Sequence, residues 1–166
     1  MVVVALLAVL TAGAGAAFQP WKLFTDVEVR EADPFVGALP RPASPVRPAV
    51  PAVLAEGSFR SIAHPTTGRA RLGAAADGST RLFLDELDTD NGPTLRLYLS
   101  RTPADGDASG HGIDPLDLGD LKGNLGDQDY AVPAGTDLGP YRSVVIWCER
   151  FRVAFGVAPL DAPAVG

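Results

Sequence analysis

Cysteine and histidine carry the most recognisable chemistry in a short chain, and this one holds a single Cys, Cys148, and two His, His64 and His111. A lone thiol is either a small buried hydrophobe or a reactive group. As a reactive group Cys148 could join a disulfide to another chain, pass through a sulfenic acid, or give a thiolate to iron. Its neighbours oppose each other, since Glu149 disfavours a thiolate and Arg150 favours one. One cysteine excludes an intrachain disulfide, a four-cysteine iron–sulfur centre and a C-x-x-C-H haem attachment.

The histidines narrow the chemistry further. His64 opens the turn His64-Pro65-Thr66-Thr67-Gly68. There it is either a second ligand or proton partner for Cys148, or a turn residue bonded to backbone. His111 ends a Gly/Asp-rich loop, Ala104 to His111, and is expected to be solvated. A blue-copper site needs two His, a Cys and usually an axial Met; here the only Met is Met1 and no His follows Cys148. Two histidines also leave no Ser–His–Asp order and no zinc spacing, so an independent enzyme is not expected. Asp85, Glu86, Asp88 and Asp90 are the residue types calcium takes, but Asn91-Gly92-Pro93 already explains that stretch as a turn. Asp105 to Gly110 starts like a calcium loop, yet its twelfth position is Leu116 rather than a bidentate Glu.

These residues must be held by strands. Val144 to Trp147 is an unbroken apolar run, and Phe151, Val153, Phe155 and Val157 alternate with Arg152, Ala154 and Gly156, the period of a strand. A two-residue loop at Glu149-Arg150 sets Cys148 opposite Phe151, Ile146 opposite Val153 and Val144 opposite Phe155, with the sulfur at the rim of a core. A three-residue loop would bring Trp147 there instead. Upstream, strands are expected at Gly57–Ala63, Arg69–Leu72, Thr80–Leu87, Thr94–Ser100, Leu116–Leu121 and Tyr130–Val132. In the fourth of these Leu95, Leu97 and Leu99 point inward, and Arg96, Tyr98 and Ser100 outward. Residues Asn124 to Asp129 read as a tight connection.

Strands at this spacing, with 18 Gly and 15 Pro and almost no helical period, predict an all-β fold: an antiparallel β-sandwich or partly closed barrel. The net charge of −6 is wrong for a nucleic-acid groove. Val2 to Phe18 is uncharged and almost wholly apolar, spanning about 25 Å as a helix, near the lower limit for a membrane span. Ala12 to Ala17 is also the small-residue pattern of a signal-peptidase site, so secretion after cleavage is the alternative. Phe18, Trp21 and Lys22 match the belt of a retained single-pass anchor. The expected layout is an anchor at 1–22, a juxtamembrane and Pro-rich linker at 23–55, the β domain at 56–160 and a tail at 161–166. The Pro residues from Pro34 to Pro51 predict a semi-rigid spacer.

The pieces GSFRSIAHPTTGRARL, LDELDTDNGPTLRLYLS, DLGDLKGNLGDQDYAVP and YRSVVIWCERFRVAFGVAPL follow one another as in the DM-thirteen domain family, which the chain resembles over roughly Glu56 to Leu160. FQPWKLFTD is similar to the juxtamembrane segment of actinobacterial members. The resemblance implies a β-rich extracytoplasmic electron-transfer module whose hallmark is the cysteine of the Trp-Cys pair, here Cys148. That thiol would act bare or hold a prosthetic group such as haem, with other envelope redox proteins as partners. Thr94 departs from the pattern, where members often carry an acidic residue. Cys148 as core filling in a structural or adhesive envelope module is the competing reading.

Overall fold

The computed structural model describes residues 25–36 and 51–163. They form ten strands: β1 (Glu28–Arg30), β2 (Ala52–Ser58), β3 (Arg60–Ser61), β4 (Thr66–Ala74), β5 (Thr80–Thr89), β6 (Leu95–Ser100), β7 (Leu116–Asp120), β8 (Leu125–Ala131), β9 (Ser143–Cys148) and β10 (Val153–Pro159). One five-stranded sheet runs β1-β8-β5-β4-β2 and a second runs β3-β10-β9-β6-β7. Every pairing is antiparallel except β1 with β8. The expected all-β sandwich is what forms, as two open sheets rather than a closed barrel. Period-2 alternation gives each sheet one apolar face, and the two faces close on each other.

The main core is supplied from one side by Ala70, Leu72, Leu82, Leu84, Leu87 and Tyr130, and from the other by Leu95, Leu97, Leu99, Val144, Ile146, Cys148, Phe155 and Ala158. A second cluster lies on the outer face of the β9 sheet, where Tyr98, Val145, Trp147, Ala154 and Val157 pack with Ala104. Tyr98 does point away from the main core, as the alternation predicts, but it is buried there and not solvated. The loop after β6 folds back as a cover, with a short 3-10 turn at Ala108–Gly112. It sits so close that a Cβ on Gly112 would come within 2.6 Å of the Trp147 ring.

Three further differences have local causes. Leu125 to Asp129 is a strand, not a connection. β8 is bonded on both edges, and its apolar alternation is broken because the inward position before Tyr130 is held by Gln128, which is fully buried, while Asp127 and Asp129 are half-buried. The β9–β10 loop has four residues, Glu149 to Arg152, so Cys148 pairs with Val153 rather than Phe151, and Trp147 with Ala154. Lengthening the loop by two keeps Cys148 on the inner face. A bulge then sets both Phe155 and Gly156 against Ile146, which returns Val157 to the outer face opposite Val145.

Strands also appear where juxtamembrane segment and linker are expected. β1 pairs with β8, and Ala52–Ala55 belongs to β2 on the opposite edge of the same sheet. Between them Asp33 is bonded by Arg71 at 2.8 Å, and the Arg71 guanidinium lies over both the Phe35 and the Phe83 ring, 5.7 and 5.1 Å from their centroids. The Phe35 ring and the Ala52 carbonyl both crowd Gly73, at 2.9 and 2.2 Å from a Cβ built there. Residues 37–50, the centre of the Pro-rich stretch, lie outside the described residues. The spacer expectation falls on those residues, and the segments on either side of them both pack on β4. The anchor helix expected at 1–22 is likewise outside the described residues, which contain no helix long and apolar enough to cross a membrane.

Candidate functional site

Five connections meet at one end of the sandwich: the entry at Thr25–Val27, the β3–β4 turn, the β5–β6 loop, the β7–β8 loop and the β9–β10 hairpin tip. Cys148 is the last residue of β9 and lies just beneath them. Its side chain is fully buried in the main core, and Sγ donates to the Pro93 carbonyl at 3.3 Å. The expectation of a sulfur at an accessible rim is therefore corrected. The four-residue loop carries the chain past the strand end and the β5–β6 loop closes over it. Leu95 is the cross-strand partner of Cys148, and the Glu149 amide donates to the Thr94 carbonyl at 3.2 Å.

On the far side of that loop is a cleft of about 400 Å³. Gly92, Thr94 and Leu95 form one wall and Leu121 to Asn124 another, and Cys148 is not in its lining. Thr94 holds a left-handed backbone, φ 56°, a conformation that costs a residue other than Gly about 1 kcal/mol or more. A second cleft beside it is lined by Asp26, Asp88, Asp90, Asn91 and Asn124. Asn124 is buried and staples three segments: its Oδ1 accepts from the Val27 amide at 2.7 Å, and its Nδ2 donates to Asp26 at 2.9 Å and to the Thr89 carbonyl at 3.0 Å. Asn91 donates to the Thr25 carbonyl at 2.7 Å.

His64 lies at the same end. Its ring stacks on Phe155, centroids 3.8 Å apart, and Nδ1 meets Asp90 at 2.9 Å. His64 and Cys148 thus grip one loop, through Asp90 and Pro93, but are not bonded to each other. A haem held by both would need a cavity exposing the sulfur and a ring nitrogen together. Here Sγ is committed to Pro93 and sealed in the core, and Cys148 lines neither cleft. As they stand, the two residues do not fit an axial pair. Among the described residues no three His, Cys, Asp or Glu side chains converge as a metal cage would. Asp107, in the calcium-like loop, caps Ser109 instead.

His111 overturns expectation most. It is fully buried, and neither ring nitrogen has a hydrogen-bond partner among the described residues. Burial pushes its pKa below the usual imidazole value; the Arg60 charge adds to this and Asp107 opposes it. The loop looks solvated in sequence because its Gly and Asp serve the turn, while its last residues close over Trp147. Sequence reading also passes over Tyr98, whose hydroxyl donates to Glu149 and whose ring stacks near Trp147, centroids 6.3 Å apart. Burial, then the bond to Glu149, pushes the Tyr98 phenol up. Strict alternation marks Tyr98 as outward, and nothing local shows that a loop will cover it.

Neither a curated protein nor a solved structure matches the chain. A family model described as "Electron transfer DM13" matches residues 58–160. That match takes in β3 to β10 whole, both histidines, Pro93 and Cys148. The chain belongs to the DM13 electron-transfer family.

Proposed function

We propose that this protein is a membrane-anchored, extracytoplasmic redox module of the actinobacterial type whose working group is the bare thiol of Cys148. The observation that carries the reading is the position of Sγ directly under Pro93, in the same loop whose Gly92, Thr94 and Leu95 line the cleft. Displacing Gly92 to Thr94 alone would uncover the sulfur, and the strained backbone at Thr94 lowers the cost of that displacement. With one sulfur per chain, the second must come from a partner. In thiol–disulfide exchange the Cys148 thiolate attacks a partner disulfide, a mixed disulfide forms, and the leaving sulfur takes up the proton Cys148 gave up. Envelope proteins carrying a disulfide are the matching partners.

The complete burial of Cys148 favours a second reading, a structural envelope module with the cysteine as core filling. Alkylation of Cys148 in the full chain under native conditions separates the two, timed against hydrogen exchange of the β9 amides. A redox thiol is modified much faster than β9 exchanges, because only the loop has to open. Modification no faster than β9 exchange would overturn the redox reading.

A further inference from the structure

The chain enters the sandwich at the Cys148 end. The Thr25 carbonyl is held by Asn91, the Val27 amide by Asn124, and β1 then runs away from that end alongside β8. Ahead of Thr25 stands the uncharged run Val2 to Phe18, followed by Trp21 and Lys22. From Phe18 to Thr25 is seven residues, a reach of at most about 25 Å at 3.3–3.6 Å per residue. No Pro-rich spacer intervenes, because those residues come after β1. The end of the domain that holds Thr25 is therefore the end turned toward whatever holds the apolar run.

At the same end the β9–β10 hairpin projects Glu149, Arg150, Phe151 and Arg152, all exposed. Phe151 is 57 % exposed, an unusual position for an aromatic ring on a loop of charged residues. The tip lies close to the entry point: Asn91 holds Thr25, and three residues on, the Thr94 carbonyl holds the Glu149 amide. An aromatic side chain between two arginines suits the headgroup layer, where rings sit at the interface and long cationic side chains reach phosphate.

We infer that the hairpin tip Glu149–Arg152 rests on the bilayer that holds the chain's own N-terminal segment, with Phe151 seated among the headgroups. The inference depends on the membrane-anchored reading above. Asp26, Asp88 and Asp90, which line the neighbouring cleft, oppose close approach of anionic lipid, so the contact is confined to the tip. In this orientation Cys148 faces the membrane, and a membrane-borne partner meets the sulfur more readily than a soluble one.

The test uses the full chain in phosphatidylcholine vesicles, with a nitroxide at Phe151→Cys and a control at Ala134→Cys, an exposed position at the opposite end. Both are made in a Cys148→Ser background or, if that fails to fold, with the sealed Cys148 left in place. The ratio of collisions with oxygen to collisions with a water-soluble nickel chelate is expected to be several-fold higher at 151 than at 134. A chain that stays with the vesicles while 151 is as aqueous as 134 overturns the inference and leaves the anchor reading standing. A chain that does not sediment with vesicles overturns both.

Discussion

His111 is a buried imidazole with no hydrogen-bond partner among the described residues, and its discomfort is readable as pH dependence. In the unfolded chain His111 takes a proton near its ordinary value of 6.5, whereas burial lowers that value in the fold. Between the two the unfolded state binds more protons. Stability is therefore full above pH 6.5 and falls as pH drops through the window, by up to about 1.4 kcal/mol per pH unit. The groups facing His111 are Arg60, which deepens the effect, and Asp107, which relieves it. Replacing His111 with Leu should remove this slope and change stability at pH 7.5 by about 1 kcal/mol or less, in the stabilising direction, because an unsatisfied polar group leaves the interior. Urea midpoints of both proteins at pH 7.5 and 5.5 check it; parallel pH dependence in the two would refute the assignment.

Among the elements, β1 matters out of proportion to its three residues, because it fixes where the chain enters. It is held by a parallel ladder and by backbone approaching Gly126, where a Cβ would lie 2.0 Å from the Val29 carbonyl. Gly126 also has φ 91°. Gly126→Ala should therefore undock β1 and cost roughly 2–3 kcal/mol, combining backbone strain with a clash. Gly135→Ala provides the contrast, with φ 78° but nothing within 4 Å of its Cβ; there only the backbone cost of about 1 kcal/mol applies. Exchange of the Glu28–Arg30 amides should rise sharply in the first variant and stay unchanged in the second.

For the molecule as a whole, the path from β1 to β2 decides what the Pro-rich stretch does. It runs from one edge of a sheet to the other, with Asp33 pinned by Arg71 and Phe35 beside Gly73 on the way. Halving residues 37–50 should shift stability by only about 0.6 kcal/mol, the logarithmic change in loop closure. Under the proposed membrane anchoring, the distance from domain to bilayer should not change either, as energy transfer from a labelled lipid would show. A spacer would shorten that distance in proportion to the deletion.

Much of the architecture was already legible in the chain itself. Alternating Leu95, Leu97 and Leu99, the run Val144 to Trp147 and the punctuating Gly, Pro and Asp define strands and turns by local rules, because side-chain period and turn chemistry act over a few residues. The lone Cys148 and its Trp147 neighbour were equally visible as the point to watch. What local pattern cannot carry is which segments cover which. Burial of Cys148 depends on Pro93, fifty-five residues away, and burial of His111 and Tyr98 depends on a loop folding back across a sheet. The strand Leu125–Ala131 hid behind polar side chains whose partners, Gly123 and Tyr130 for Gln128 and Arg81 of β5 for Asp129, only the folded chain assembles, and β1 drew its partner from the far side of the chain. These are long-range contacts whose energy comes from excluding water between distant surfaces, and so they were decided only when both sheets closed.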